Sequence, residues 1–395
     1  MLALPKHAVA QPTDSAALEA RYLLPTYPPL PVEPVAGEGV WLTTADGRRL
    51  LDFYGGHAVA LLGHGHPRLL AALEAQARAL LFQTSAVPQA ARARAAEALV
   101  ALAPEGLDRV FFVSTGAEAN ENALRLAIRS TGRPRVVAIE GAFHGRTAAA
   151  AAVTWGSERW YGFPSRPFEV EFVPRGDLEA LARAVDERTA AVILEPVQGV
   201  AGAVPLGRDF LAAARAATDR AGARLIFDEV QCGLGRVGAP FAARLYGVTP
   251  DLLTVGKGLA GGLPAAAVLA RSATLPALAP GDLGTTFGGG PAVMAAVEAT
   301  LAVLSEEGLA LRARILGREL ARLGGVGPVL RTQGEGLLVG LVCSRPAQQI
   351  QAELLARDIL VGTSADPAVV RLLPPLVLGL EHVDRLRAAL AELAP

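Results

Sequence analysis

Between residues 109 and 255, the sequence alternates short apolar runs with stretches of helical periodicity. The strand-like runs are Arg109–Ser114, Arg135–Glu140, Ala190–Glu195, Arg224–Asp228 and Asp251–Val255, and the helical stretches include Ala119–Ile128, Leu178–Val185 and Phe210–Ala221. Such alternation is typical of βαβ units, in which helices cover both faces of a mostly parallel sheet. It restricts this part of the chain to the α/β class.

The flanking segments have different patterns. Ala36–Phe53 alternates around the turn Ala45-Asp46-Gly47, which predicts a β-hairpin. Helices are predicted at Leu69–Phe82, Ala91–Leu102, from Pro291 to about Leu323, at Ala347–Ala356 and at Glu381–Leu393, and strands at Val329–Thr332, Gly336–Val342 and Val369–Leu372. Because 395 residues are many for one core, we predict a large domain over 66–290, a smaller α+β domain over 291–395, and an N-terminal segment, 1–65, that joins the small domain.

Charge and composition exclude several classes of function. A formal net charge of -1 gives no electrostatic reason to expect nucleic acid or an anionic membrane as partner. No apolar run is long enough for a signal peptide or a membrane span. The two cysteines, Cys232 and Cys343, imply neither a disulfide framework nor a metal site. A soluble, cytoplasmic protein without a bound metal is expected.

Lysine is the rarest basic residue and occurs only at Lys6 and Lys257. Lys257 lies inside an apolar stretch, Leu252–Leu259, whereas nearly all other positive charge is arginine. Guanidinium cannot form a Schiff base, but a buried lysine amine can. The position of Lys257 therefore suggests covalent chemistry at its amine.

Polar residues follow the predicted parallel strands at the edge where ligands of open α/β sheets bind. They are the segment Ser114–Asn120, Glu195, the segment Asp228–Gln231, and Lys257. A helix that starts at Ser114-Thr115-Gly116-Ala117 presents free N–H groups to an anion such as phosphate, even if Thr115 and Glu118 also form an ordinary capping box. Gly284–Thr286 offers further donors.

The segment Gly233–Gly238 matches the GxGxxG dinucleotide motif, but a charged stretch separates it from the strand and Pro240 would interrupt the helix. We therefore favour pyridoxal phosphate (PLP) as the phosphate ligand. PLP chemistry needs a lysine, a carboxylate at the pyridine nitrogen and an apolar surface on the ring, which Lys257, Asp228 and Phe143-His144 could supply.

With these residues in place, the sequence resembles the class III (ω-amino-acid) aminotransferases, and most closely their acetylornithine aminotransferase group. The resemblance runs from Gly37-Glu38-Gly39-Val40, Asp46-Gly47-Arg48 and Gly63-His64-Gly65-His66-Pro67 to Arg371–Val377. It implies PLP-dependent transferase fold type I and a homodimer. The cofactor-binding residues that it implies are Gly116, Ala117, Phe143, Asp228, Val230, Gln231, Lys257 and Thr286, with Thr286 reaching the phosphate of the other subunit.

The same resemblance assigns the substrate side of the site. Arg146 matches the arginine that holds the α-carboxylate of the donor, with Thr285 beside it, and Arg371 matches the arginine that holds the carboxylate of 2-oxoglutarate. Glu195 is placed with these substrate-binding residues. In much of the family a glutamate stands where this chain has Val200, and it masks the second arginine. Here that arginine either stays unpaired or is covered by another group.

The expected reaction is a two-step transamination, in which Lys257 moves the proton and the terminal amino group of N2-acetylornithine passes to 2-oxoglutarate. Alternative donors are N-succinylornithine and a carrier-linked lysine, and the latter would add a small acidic carrier protein as partner. A glutamate-1-semialdehyde aminomutase and a PLP-fold protein without catalysis are the alternatives of another class. Arg371 argues against the first, and the intact pair Lys257 and Asp228 argues against the second.

Overall fold

The computed structural model describes residues 15–395. The helices are α1 (Ser15–Tyr22), α2 (Gly55–Ala58), α3 (Pro67–Ala79), α4 (Ala90–Leu102), α5 (Gly116–Thr131), α6 (Ala148–Ala152), α7 (Leu178–Ala184), α8 (Arg208–Ala221), α9 (Ala242–Tyr246), α10 (Pro291–Glu306), α11 (Leu309–Ala321), α12 (Ala347–Leu355) and α13 (Leu380–Ala391). The strands are β1 (Pro34–Glu38), β2 (Trp41–Thr44), β3 (Arg49–Asp52), β4 (Arg109–Val113), β5 (Arg135–Ile139), β6 (Glu169–Val173), β7 (Thr189–Leu194), β8 (Val197–Gln198), β9 (Val204–Pro205), β10 (Arg224–Asp228), β11 (Leu252–Val255), β12 (Ala266–Ala270), β13 (Val329–Glu335), β14 (Leu338–Cys343), β15 (Ile359–Leu360), β16 (Gly362–Thr363) and β17 (Val369–Leu372).

A seven-stranded sheet forms the centre of the molecule, in the order β4-β12-β11-β10-β7-β5-β6. Strand β12 runs in the direction opposite to the other six strands, and is therefore antiparallel to both of its neighbours, β11 and β4. Alternate residues of β10 enter two different hydrophobic clusters, Leu225 and Phe227 on one face and Ile226 on the other. A sheet buried on both faces explains why its strands read as continuous apolar runs. The prediction of a mostly parallel, doubly covered sheet is confirmed.

The N-terminal hairpin is larger than predicted. Strands β2 and β3 pair antiparallel around the expected turn, and β1 adds a third strand on β2. Strand β3 also pairs in parallel with β15, so the N-terminal segment is joined to a segment far along the chain. The prediction joined the N-terminal segment to the small domain, and a pairing of this kind is compatible with it. The limits of the domains stay a prediction.

The C-terminal third folds around a second sheet in the order β13-β14-β17-β16. The three strands predicted there are present. The predicted long helix is two helices, α10 and α11, because Gly308 between them adopts a φ of 62°. Helix α10 packs against α3 and α4, and so connects this part of the chain to the region of the large sheet.

Residues 15–395 contain neither a membrane-spanning helix nor a cluster of metal-ligating side chains. None of the helices there has the length and apolar character needed to cross a membrane. In the same residues, no group of three or more histidine, cysteine, aspartate or glutamate side chains is arranged to hold a metal ion.

Candidate active site at the edge of the large sheet

Lys257 stands two residues after β11 and opens a 3-10 turn, Lys257–Ala260. Its φ of 47° lies in the left-handed region that residues other than glycine rarely adopt. Such backbone strain is typical of functional sites, where the surrounding structure enforces it. Burial lowers the pKa of the Lys257 amine, and the nearby carboxylates of Asp228 and Glu195 oppose this effect in part.

Asp228 ends β10 and is only 3% exposed. Its Oδ2 lies 2.7 Å from Nδ1 of His144 and accepts a hydrogen bond of 2.7 Å from Nδ2 of Asn120. The backbone N–H of Val230 donates to Oδ1 at 3.0 Å. Asn120 is itself held by Thr254, whose hydroxyl donates to Oδ1 of Asn120 at 2.6 Å. These partners fix the orientation of the buried carboxylate.

The start of α5 forms a cradle for an anion. Thr115 caps the helix by accepting from the N–H of Glu118 at 3.2 Å, and Glu118 reaches back to the N–H of Ser114 at 2.8 Å. The N–H groups of Gly116 and Ala117 have no partner among residues 15–395. A Cβ built on Gly116 would lie 2.6 Å from Cγ1 of Val230, so only glycine allows this close approach. The predicted cap and the predicted anion cradle are both compatible with this turn.

Glu195 is turned inward rather than toward open space. Its Oε1 accepts from the N–H of Phe143 at 2.9 Å, and its Oε2 accepts from the N–H of Gly199 at 3.1 Å. Burial, reinforced by the charge of Asp228, raises the pKa of the Glu195 carboxyl to about 7. Glu195 thus braces the backbone that carries Phe143.

Arg371 lies on β17 and is 5% exposed. Its Nη1 donates to Oε1 of Gln231 at 3.2 Å, while its Nε has no partner among the described residues. Within residues 15–395, no carboxylate forms a salt bridge with it. Burial lowers the pKa of its guanidinium. The side chain that accepts a hydrogen bond from Arg371 is therefore the neutral amide of Gln231 and not a carboxylate.

Gly199 makes that contact possible. A Cβ at this position would lie 1.7 Å from Oε1 of Gln231, so any larger residue would displace the amide. The backbone of Val200 is fixed separately, because its carbonyl accepts from the N–H of Ala365 at 2.8 Å.

A polar aromatic group that sequence reasoning did not assign faces the same region. All four residues of α2 have left-handed φ values between 55° and 70°. This turn places His57 with both ring nitrogens within 2.8 Å of the Tyr54 hydroxyl and its ring centroid 5.4 Å from that of Tyr27. Burial, then the charges of Arg371 and Lys257, lower the pKa of His57 to about 4. The signal in the sequence was the pair Gly55-Gly56, which allows a left-handed turn.

Three predicted residues lie outside the buried network. Arg146 is exposed, and its guanidinium carbon stands 4.7 Å from the centre of the Trp160 ring. Thr285 accepts from the N–H of Gly288 at 3.2 Å, and Thr286 is exposed. The GxGxxG-like segment forms turns, and no helix starts there, in agreement with its rejection as a dinucleotide motif.

The buried groups fit PLP. The unpartnered N–H groups at Gly116 and Ala117 suit a phosphate, and the oriented carboxylate of Asp228 suits a protonated pyridine nitrogen. Nε2 of His144 is buried without a partner among the described residues, and the backbone N–H groups of Phe143 and Val230 donate to Glu195 and Asp228. Lys257 supplies the amine.

Comparison with known proteins agrees with this geometry. The family Aminotransferase class-III matches residues 23–393. Acetylornithine aminotransferase of Mycobacterium tuberculosis is 42% identical over 387 residues, 96% of each chain, and that of Methanocaldococcus jannaschii is 37% identical over 386 residues, 95% of this chain and 96% of its own. A crystal structure of ornithine aminotransferase from Toxoplasma gondii, with partial occupancy of PLP at its active site, superimposes with a TM-score of 0.89 at 31% identity and covers 96% of this chain and 93% of its own. The chain therefore belongs to the class III aminotransferases.

Proposed function

We propose that this aminotransferase uses PLP to transfer the terminal amino group of an N-acylated ornithine, with N2-acetylornithine as the first candidate, to 2-oxoglutarate. The observation that carries the proposal is that Lys257 and Asp228, at one edge of the large sheet, lie close enough to Arg371 of the second sheet for both charges to act on the lysine. The curated relatives named acetylornithine aminotransferase, at 37–44% identity, support the choice of donor.

PLP, when bound, draws electrons from the substrate carbon that carries the amino group, so that a proton can leave that carbon. Asp228 would hold the pyridine nitrogen, with His144 and Asn120 keeping the carboxylate in place. Gly116 and Ala117 would bind the phosphate, while Phe143 and Val230 would enclose the ring. Gln231 would lie beside the phenolic oxygen.

The Lys257 amine acts twice in this proposal. It would hold the cofactor, and as a free amine it would take up the proton that leaves the substrate carbon. A general base works best when its pKa is close to the operating pH. Burial lowers the pKa of Lys257 in that direction.

Arg371 would bind a carboxylate of 2-oxoglutarate, because its buried guanidinium has an unpartnered Nε, donates only to a neutral amide and forms no salt bridge within the part of the chain that the structure describes. Arg146, supported by the face of Trp160, would bind the α-carboxylate of the donor next to Thr285. Glu195 would contribute indirectly, by holding the backbone of Phe143, whose side chain would enclose the ring.

We also infer a homodimer. A groove of about 630 Å³ lies along edge strand β4 and includes Thr285 and Gly288 in its lining. Large apolar side chains beside it are exposed, among them Leu81, Phe82 and Phe287. Thr286 directly precedes Phe287, so a partner subunit bound to this surface would lie next to Thr286.

The two cysteines, Cys232 and Cys343, are buried free thiols. Free thiols suit a cytoplasmic location, because thiols stay reduced there.

The test is a half-reaction without oxo acid. The protein is purified with PLP, and the visible absorbance of the lysine-bound cofactor is followed after addition of N2-acetylornithine, N-succinylornithine, ornithine, 4-aminobutyrate or a carrier-linked lysine. Rapid loss of the band with an N-acylated ornithine, and no band in Lys257→Ala, is the expected result. A band that only the carrier-linked lysine bleaches would instead assign that donor and its carrier protein. A band that none of these donors bleaches would refute the proposed donor and favour an aminomutase.

A further inference from the structure

Arg236 lies in the middle of the glycine-rich loop Gly233–Gly238 and is the largest side chain that the fold buries completely, at 1% exposure. Its Nη1 donates to the backbone carbonyl oxygens of Leu337, at 3.3 Å, and Pro374. Its Nε and Nη2 have no partner within residues 15–395. Burial lowers the pKa of this guanidinium to about 9, and only the more distant charge of Asp52 opposes the effect. A buried cation without a paired carboxylate is costly, so its position requires a reason.

The two carbonyls lie next to the strands that hold Arg371 in place. Leu337 immediately precedes β14, and Pro374 follows Arg371 by three residues. Strand β14 pairs antiparallel with β17, and Gly340 is the direct partner of Arg371 in that register. Arg236 thus fixes one end of the strand pair on which the substrate arginine is mounted.

The segment that precedes the glycine-rich loop contacts Arg371 directly. Gln231 precedes Arg236 by five residues and accepts from Nη1 of Arg371 at 3.2 Å. The segment from Asp228 to Arg236 therefore contacts Arg371 through its side chain and restrains its strand through the backbone. There is little room for adjustment, because a Cβ on Gly336 would lie 2.5 Å from the carbonyl oxygen of Arg236.

We propose that Arg236 is a positioning residue that fixes Arg371 relative to Asp228 and Lys257, and thereby sets the affinity of the site for the oxo acid. The inference rests on the proposed function, in which Arg371 binds a carboxylate of 2-oxoglutarate. Because the carboxylate of the N-acylated donor is assigned to Arg146 instead, displacement of Arg371 impairs one half-reaction and spares the other.

The test compares the two half-reactions in the PLP-loaded Arg236→Lys enzyme. Lysine keeps the charge but cannot donate to both carbonyls with the same fixed geometry. The dissociation constant for 2-oxoglutarate, measured in single turnovers of the amino form of the enzyme, is expected to rise about tenfold or more, since small displacements of a binding group cost this much. The rate with N2-acetylornithine is expected to stay within about twofold under the same argument.

Arg133→Lys is the matched control. Arg133 also donates to two backbone carbonyls, those of Thr189 at 3.0 Å and Ala221 at 2.7 Å. Thr189 begins β7 and Ala221 ends α8, so these contacts lie at the end of β7 that is opposite to the candidate site. The substitution is expected to lower thermal stability and to leave both half-reactions unchanged. Pro374→Ala is a milder second variant, which keeps the accepting carbonyl, frees its backbone, and should weaken 2-oxoglutarate binding in the same direction.

Equal losses in both half-reactions, in proportion to the loss of thermal stability, would reduce Arg236 to a structural residue and overturn the inference. An unchanged dissociation constant for 2-oxoglutarate in folded Arg236→Lys or Pro374→Ala would also overturn it. Neither outcome touches the proposed function, which depends on the reaction of the unmodified enzyme with its donor.

Discussion

Arg371 differs from Lys257 in its surroundings, because its hydrogen-bond partner is a neutral amide, whereas carboxylates lie near the lysine. Gln231 covers Arg371, and burial raises the pKa of the Tyr54 hydroxyl to about 12. The low pKa of His57, about 4, keeps its imidazole neutral near pH 7. The positive charge of Arg371 is therefore left for a substrate anion, which is attracted more strongly in a pocket that excludes water.

The low pKa of His57 predicts a change in acid stability. Because the ordinary pKa of 6.5 falls to about 4 in the folded protein, the unfolded chain binds the proton more readily between these values. This contribution to the free energy of unfolding is complete above pH 6.5 and is lost as the pH falls toward 4. His57→Asn should therefore lose less stability than the unmodified protein between pH 7 and 4, by on the order of 1 kcal/mol, because solvent screens part of the effect at this half-buried ring.

Urea unfolding of both proteins at several pH values measures this effect. Recording them side by side removes changes that are common to both, including loss of cofactor. If the two curves of unfolding free energy against pH run parallel, His57 does not titrate as the structure indicates.

The same network explains why some site residues could be identified from the sequence and others could not. Lys257 and Asp228 were predictable because each follows a strand, and parallel strands end at one edge of a sheet. The contact of Asn120 with Asp228 was not, because it joins distant segments of the chain. Asn120 reaches Asp228 across 108 positions of the chain, and only the folded sheet brings them together.

Among the elements, the strands and helices with strong periodicity were predicted almost to their ends, whereas β6 of the large sheet was missed, and so was β12. Its sequence, Ala266–Ala270, is rich in alanine and carries little strand preference. It pairs because it fills the space between β4 and β11. The start of α5, in contrast, could be predicted from local sequence, because Thr115, Gly116 and Glu118 form a pattern that is typical of a capped helix.

This helix start yields a prediction. In Gly116→Ala, the new Cβ would lie 2.6 Å from Cγ1 of Val230, so either Val230 or the first turn of α5 must move. Both would form the proposed cofactor site, so PLP affinity should fall by about tenfold or more, the scale of a binding group displaced from its position. Titration of the apoenzyme with PLP measures this affinity.

Gly132→Ala is the control at the other end of α5. Gly132 has a φ of 67° and no neighbour within 4 Å of a built Cβ. The substitution should cost about 1 kcal/mol of stability, because a left-handed residue is forced to carry a side chain. PLP affinity should be unchanged, and an equal loss of affinity in both variants would show that general destabilisation explains the effect.

For the molecule as a whole, the large exposed apolar side chains are concentrated in a few segments. Leu80, Leu81, Phe82 and Val87 lie between α3 and α4, and Phe287 lies near them, with ring centroids of Phe82 and Phe287 5.4 Å apart. A contiguous apolar surface of this kind usually marks an interaction surface. The sequence could not reveal it, since each side chain alone resembles an ordinary core residue.

Phe287→Asp should therefore convert a dimer to monomers. The phenyl ring is 69% exposed in the single chain, and a charge placed at the centre of an apolar interface would have to be buried without a partner. Because Thr286 is expected to reach the phosphate of the other subunit, PLP affinity and aminotransfer should fall together with the dimer. Leu330→Asp is the control, because Leu330 is 64% exposed on β13, away from this surface. Sedimentation measures the mass of each variant. A monomeric Phe287→Asp protein that retains full activity would show that each chain completes its own site, whereas a dimer that is unaffected by the substitution would place the interface elsewhere.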